Sequence, residues 1–535
     1  MRCRVAVPLA LGLAAFAGAG GAAQERTADS PGAALARKHC SSCHDAIPPD
    51  ALTKDGWRPG LLHMMARLGL APQVLRQPPD GFTEDDAKRM LYHFKQLAGL
   101  DRPLLPQEPL VPLAEFLEIW RDLVAAAPQE PLPQVGKTPV ALDHAPFRLG
   151  PHVPFDPRLH LMTTLVRVDD KRRRVFVGGV TDWDAEREEY PAYLALLDDG
   201  ARVLHRIELD SAAVGLERLG KDYLLTTVGR LVTVQSSEAQ LLRLTSRRDR
   251  LRSAVILDDV VRAAGAIARR EPGGTTLVVV NGFGFFAGEL FLLREKRGRI
   301  LSRTSLLDEP GAMASRFADL DGDGRLDIVS LFSQHHESIV LFRGDGLGGW
   351  ERVELVRHHP AWGTSSFDLA DLNGDGRADL VVTNGDNGDF PDPPLKRYHG
   401  VRLYLNRPGE DGLPRFESAF FEPVHGAFKV LARDYDLDGD TDLALVARYL
   451  DERQLPRESF LYFENRTRPA TEDWRFDVSA LSALGNADLM TMDTGDLDGD
   501  GDLDIVVGGA APLTRSERRS SEPQLGLAYL LNSTR

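Results

Sequence analysis

Beyond about residue 160 the apolar residues come in short, β-branched and aromatic runs set apart by turn-forming clusters, and this rhythm holds to the end of the chain. Thr163 to Val180 with Ala192 to Ile207, Val214 to Leu257, and Ala264 to Leu307 each read as a β-rich unit of about 50 residues. The first hundred residues follow a helical period instead. Thr83-Glu84-Asp85-Asp86 opens a helix with an N-cap and three acids, and Ala87, Leu91 and Phe94 fall on one face. Between the two regimes, residues 101–157 hold 12 of the 34 prolines, a composition that predicts an extended, semi-rigid connector. One amphipathic stretch, Leu113 to Leu123, interrupts it and is expected to dock Phe116, Ile119 and Trp120 on a neighbour.

From residue 319 an acidic pattern is superimposed on the strand rhythm. Its four copies are Asp319-Leu-Asp321-Gly-Asp323-Gly-Arg-Leu-Asp327, Asp371-Leu-Asn373-Gly-Asp375-Gly-Arg-Ala-Asp379, Asp434-Tyr-Asp436-Leu-Asp438-Gly-Asp440-Thr-Asp442 and Asp496-Leu-Asp498-Gly-Asp500-Gly-Asp502-Leu-Asp504. Their starts lie 52, 63 and 62 residues apart, the length of a four-stranded propeller blade. Hard oxygen donors at positions 1, 3, 5 and 9, a backbone carbonyl near 7 and Gly at 6 for the sharp turn make a cage for calcium. An EF-hand would need Glu at position 12, where this chain has Ser330, Val382, Leu445 and Val507. Each loop runs instead into a strand, so these are strand-turn-strand loops. The four segments contain 17 aspartates, and up to four Ca²⁺ would relieve their mutual repulsion. The second loop, with Asn373, is the weakest by charge count.

Three β-rich units and four acidic ones add up to a seven-bladed ring. The last unit stops at Arg535 one strand short, so Val140 to Arg148 is expected to supply the missing outer strand and cover the open edge.

The N-terminus combines Arg2 and Arg4 with an apolar run from Val5 and small residues at Gly21 to Ala23, the layout of a cleavable export signal over 1–23. Cys3 leaves with it. The two remaining cysteines stand in Cys40-Ser41-Ser42-Cys43-His44, the C-x-x-C-H signature of covalent haem attachment. Two thiols at this spacing can each bond a porphyrin vinyl group, and the next residue supplies an imidazole to the iron. A zinc site lacks its second cysteine pair. Cys40 and Cys43 are thus the expected thioethers, with His44 the proximal ligand of one haem c. Met64, Met65 and Met90 compete for the other axial position, with His63 behind them, and Met90 reads as core in its amphipathic helix.

Cys40 to Gly69 resembles the cytochrome c domains that precede repeat propellers in some bacterial exported proteins: a Pro-rich step after the His, then Trp57, then Met before Gly69. That resemblance favours Met65, with Met64 as the alternative. The acidic repeats resemble the FG-GAP or VCBS family, the blades also found in integrin α-chains, over residues 311–535. Together these readings imply a small all-α cytochrome c domain over 31–100, a Pro-rich linker over 101–157, and an all-β, seven-bladed propeller over 158–535.

Formal net charge is -15 and becomes -17 without the signal, which argues against nucleic acid as a partner. No segment after the signal is long and apolar enough to span a membrane. The expected location is periplasmic or secreted. The loops opposite the calcium loops are long and offer Trp183, His335, His336, Asp386, Asp389, Arg448, Arg515, Arg518 and Arg519, but no nucleophile motif or catalytic carboxylate pair stands out among them. Three functions follow: an electron carrier serving a redox partner protein or small-molecule donor, an oxidoreductase with its site in the propeller funnel, and a calcium-dependent surface or glycan binder. The carrier uses the best-supported features.

Overall fold

A computed structural model describes residues 30–40, 46–97, 105–106, 108–154, 162–181, 190–231, 235–388, 390, 393–451, 453–467, 473–485, 487–510 and 525–534. The expected export signal lies outside these residues.

Seven antiparallel sheets follow one another along the described chain, six of four strands and one with a fifth. They are the expected three plus four units. Their first strands, from blade one to blade seven, are Met162–Asp169, Ala213–Leu219, Ala263–Arg270, Ala312–Ala318, Thr364–Ala370, Ala427–Arg433 and Leu489–Gly495. Each of these inner strands packs beside those of the blades on either side, the last against the first, so the ring closes around a central channel. The second strands Asp327–Phe332, Asp379–Asn384, Asp442–Ala447 and Asp504–Gly509 are buried at every residue. A neighbouring blade covers each of their two faces, which is why they read in the sequence as continuous apolar runs without alternation. Outer strands such as Arg299–Leu307 stay largely exposed.

Ring closure differs from expectation in detail. Phe147–Pro154 is the outer strand of blade seven, antiparallel to Leu525–Asn532, with Phe147 opposite Asn532. Val140–Leu142, expected in the same strand, instead lies parallel to Phe476–Ala480 as the fifth strand of blade six. Asp143 separates the two: its backbone turns at φ 57°, its N–H donates to Ala480 O at 2.8 Å, and its carboxylate accepts from the Ser482 N–H at 2.9 Å. Pro146 has no N–H to offer a ladder, so the chain steps from one blade to the next between them.

Among the described residues five α-helices precede the ring: α1 (Pro31–Cys40), α2 (Lys54–Arg67), α3 (Ala71–Arg76), α4 (Glu84–Leu97) and α5 (Leu113–Ala126). The expected cap of α4 is formed, with the Asp86 N–H donating to Thr83 Oγ1 and the Thr83 N–H to Asp86 Oδ2. Trp57, Leu61, Leu62 and Met65 of α2, Met90 of α4 and Phe116 of α5 share one apolar core. The segment read as linker is therefore structural at both ends. Its helix α5 completes the helical core, where the Gly32 N–H donates to Asp122 Oδ2 at 2.7 Å, and its last two strands belong to the propeller. No described helix is long and apolar enough to cross a membrane.

Candidate functional site

The four acidic loops join the first strand to the second in blades four to seven and so lie on one face of the ring. Position 6 is Gly324, Gly376, Gly439 and Gly501, with φ between 79° and 98°, a conformation in which a side chain would be strained. The loops are folded by their own acids. The Gly324 N–H donates to Asp319 Oδ2 at 2.9 Å and the Asp323 N–H to Asp321 Oδ1 at 3.2 Å; Asp371 and Asp434 accept from Gly376 and Gly439 in the same way.

The acid at position 9 has a second part besides any it takes at a cation. Asp327, Asp379, Asp442 and Asp504 are fully buried, and in every loop one carboxylate oxygen accepts the N–H of position 2 while the other accepts an N–H at the end of the third strand. These side chains clamp the loop to the sheet. Burial pushes Asp379, Asp442 and Asp504 each up to about 6.

Three loops gather acids tightly enough to share a cation: Asp319 with Asp321 and Asp327, Asp434 with Asp436 and Asp442, and Asp496 with Asp498 and Asp500. Position 7 divides the four loops. In the first two loops it is Arg325 or Arg377, whose guanidinium pairs with the position-5 acids Asp323 and Asp375. Arg343 adds a second cation on Asp321 and Asp323. In the last two loops position 7 is Asp440 or Asp502, and burial together with the surrounding loop acids pushes Asp440 up to about 7. Oδ1 of Asp434 and of Asp440 is buried with no hydrogen-bond partner among the described residues. This donor set of clustered, partly desolvated carboxylates fits a hard divalent cation such as calcium. The fit is better in the third loop, where no described arginine pairs with a loop acid. The alternation of Arg and Asp at position 7 is visible in the sequence, but which acid each arginine reaches is not.

The helical unit sits on the opposite face. Tyr398 Oη donates to Ala51 O at 2.9 Å, Arg397 pairs with Asp50 at 2.6 Å, and Arg67 Nη2 donates to Phe285 O at 2.9 Å. Ile47 and Ala51, a few residues beyond the C-x-x-C-H run, pack on Ala361, Trp362 and Tyr398 of the propeller. Of the expected haem ligands, Cys40 is the last residue of α1 and is half-buried, while Cys43 and His44 lie outside the described residues. Met65 is 0 % exposed and Met64 is partly buried, both against the helical core; Met90 is buried in the same core. His63 faces the propeller, stacked on Phe286 and accepting from Arg67 Nε at 2.6 Å.

Helices thus cover part of the face on which the sequence places a funnel. His336 is largely buried there, 3.5 Å from Glu309, and burial with nearby arginines lowers it to about 4. Asp386 is exposed, whereas Arg448 is buried beside Asp488. Trp183, Asp389, Arg515, Arg518 and Arg519 lie outside the described residues.

Residues 319–382, spanning the first two acidic loops, match the FG-GAP-like repeat family. Among solved structures, a periplasmic gluconolactonase of Pseudomonas aeruginosa shares 15 % identity at a TM-score of 0.39, covering 59 % of this chain and 86 % of its own. A putative 6-phosphogluconolactonase of Bacteroides uniformis shares 10 % identity at a TM-score of 0.39, covering 58 % and 82 %. No curated protein matches the sequence. The protein is a seven-bladed β-propeller, preceded by a helical unit and carrying an FG-GAP-like repeat.

Proposed function

We propose that this is a periplasmic or secreted c-type haem electron-transfer protein, whose calcium-stabilised propeller holds the helical haem unit in a fixed pose for a redox partner. The observation that carries the reading is the C-x-x-C-H run, which begins at Cys40, the last residue of α1, together with Met65 wholly buried in the next helix, α2. Cys40 and Cys43 would form the thioethers, and His44 and Met65 would be the axial ligands, with Met64 the alternative. A haem so held supplies one-electron exchange. The soft thioether and the imidazole suit iron at a potential useful for transfer. The chain's own part is to exclude water with Trp57, Leu61 and Leu62 and to fix the unit on the propeller through Tyr398, Arg397 and the Phe285 carbonyl. In the loops, Asp319, Asp321, Asp323, Asp327; Asp371, Asn373, Asp375, Asp379; Asp434, Asp436, Asp438, Asp442; and Asp496, Asp498, Asp500, Asp504 would surround calcium.

The test is to express the full chain with a periplasmic haem-attachment system and calcium, denature it, and look for a haem that stays with the polypeptide. Retained haem, lost in the double variant Cys40→Ser with Cys43→Ser, supports the reading. A chain that carries no haem under these conditions overturns it. Rapid electron exchange with a small cytochrome supports the carrier, whereas catalytic haem reduction by one class of sugars, alcohols, amines or sulfur compounds would move the protein to the oxidoreductases.

A further inference from the structure

The inner strands carry a pattern that neither the haem nor the calcium loops use. In each, the register against the second strand slips by one residue near the start, after Thr163, Ala213, Ala263, Ala312, Thr364, Ala427 and Leu489. Four residues further on stand Arg167, Glu217, Ile267, Arg316, Asp368, Leu431 and Asp493. Equivalent positions on equivalent strands lie at one level of the channel. At the sixth blade Lys429, two residues before Leu431, brings in a cation and donates from Nζ to Met492 O of blade seven at 2.7 Å. Around the ring the charges therefore alternate, with one apolar interruption at blade three.

The acids are held back at the wall. Asp493 Oδ2 accepts the Val168 N–H at 2.8 Å, and Asp368 Oδ2 accepts from Arg433 Nη1 at 2.8 Å and from the Ala432 N–H at 3.2 Å. The guanidinium groups are not so engaged. Arg167 lies 3.7 Å from Asp493 and 3.9 Å from Glu217, and Arg316 lies 3.8 Å from Asp368, all longer than a hydrogen bond of about 2.7–3.2 Å. Among the described residues Arg167 makes no hydrogen bond through its side chain, and Arg316 makes one, to Ser315 O at 3.0 Å. Each guanidinium has five donors to satisfy. About two-fifths of each side chain is open, at 40 % and 39 %. At this level three cations, Arg167, Arg316 and Lys429, face three acids, Glu217, Asp368 and Asp493. Burial and the adjacent Arg316 and Arg167 hold the Lys429 ammonium down at about 8, against the pull of Asp493. Blade three leaves room, since a Cβ built on Gly265 would meet nothing within 4 Å.

We propose that the central channel at this level binds one tetrahedral oxyanion of the sulfate or phosphate kind, held by Arg167, Arg316 and Lys429 from blades one, four and six. Cations arriving from three sides of a ring suit a ligand with acceptors in three directions. Guanidinium forks match such oxygens. The unfilled donors on both arginines are what the anion would satisfy.

The probe is sodium sulfate, which can be used with the calcium-loaded full chain, against sodium chloride at equal ionic strength. Sulfate is expected to raise the melting temperature by several degrees, saturably, and chloride is not. Arg167→Gln and Arg316→Gln are each expected to weaken the sulfate midpoint about tenfold or more, the loss of one charge-assisted contact. Arg316→Lys keeps the charge and is expected to fall between, which guards against a variant that only misfolds. Diffraction from crystals soaked in selenate should place one anomalous peak among the three side chains. Equal effects of sulfate and chloride in the wild-type chain, or a channel without that peak, would overturn the assignment. Phosphate and sulfate are separated by competition: displacement of selenate by phosphate at lower concentration than by sulfate assigns the site to phosphate.

Discussion

Lys137 Nζ lies 2.6 Å from Glu458 Oε2, although 321 residues separate the two along the chain and Glu458 is only 4 % exposed. The next residue repeats the arrangement: the Thr138 N–H and hydroxyl donate to the two oxygens of buried Glu422 at 2.7 and 2.6 Å. Two residues of a proline-rich segment are thereby strapped across blades five and six. The strap ties the helical unit to the ring, because its upstream side leads from α5 and Gln134 donates to His399 O.

Removing the cation should hurt more than removing the pair. Lys137→Met leaves a buried carboxylate uncompensated and is expected to lower unfolding free energy by about 3 kcal/mol, toward the low end for a broken buried pair since Lys137 is partly solvated. The double variant Lys137→Met with Glu458→Gln should recover at least half of that loss. Urea denaturation of the three proteins measures it, and a double variant no better than Lys137→Met would refute the account.

Calcium dependence should be uneven among the loops. Arg325, Arg343 and Arg377 already neutralise acids in the first two, whereas the third and fourth have Asp440 and Asp502 where Arg325 and Arg377 stand. A site held at 100 times its dissociation constant adds about 2.7 kcal/mol to stability. Asp436→Ala should therefore abolish a large share of the melting-temperature rise that calcium gives, and Asp375→Ala a small one. Calorimetry with and without chelator checks the ranking, which reverses if the arginines are displaced on binding.

The ninth position tests whether these acids serve metal or fold. Asp504 accepts the Leu497 N–H at 2.8 Å and the Asn532 N–H at 2.9 Å, so Asp504→Asn turns an N–H₂ toward one of two buried donors. A loss of about 1–3 kcal/mol is expected, the penalty of an unmet buried group. It should persist in excess chelator. If the variant and the parent melt together once calcium is removed, the clamp has no structural role.

The ring was legible in the sequence because blade cores print themselves as apolar runs at a fixed period and the acidic loops mark their phase. What the period could not carry was the fate of single residues at a crossing. Val140 and Phe147 are both apolar and β-prone, yet Asp143 with its positive φ and Pro146 between them send one to blade six and the other to blade seven. The same limit applies to the proline-rich segment. Its composition describes an extended chain, but Lys137 and Thr138 find buried acids more than 280 residues away, and no local pattern encodes such a pairing. At the helical unit the motif named Cys40, Cys43 and His44; Met65 and Met90 are equally enclosed, and it is the place of Met65 shortly before Gly69 in the sequence that favours it.

A pH dependence should arise at Glu337, beneath the docked helices. Its side chain is enclosed, Oε2 accepts the Thr364 N–H at 2.6 Å, and burial pushes it up to about 8. A carboxyl whose folded pKa lies above its unfolded value of about 4.3 binds more protons in the native state between those limits. Stability from this group is thus fully present below about pH 4 and is lost as pH rises through about 8. Glu337→Gln keeps an acceptor for Thr364 and removes the ionisation. Relative to the parent, the variant should gain stability steadily from about pH 5 to pH 8 and hold a constant advantage above that. Urea unfolding at matched calcium across this range reads the difference directly. A constant offset at every pH would mean that Glu337 is ionised throughout, with Lys396 nearby as its counter-charge.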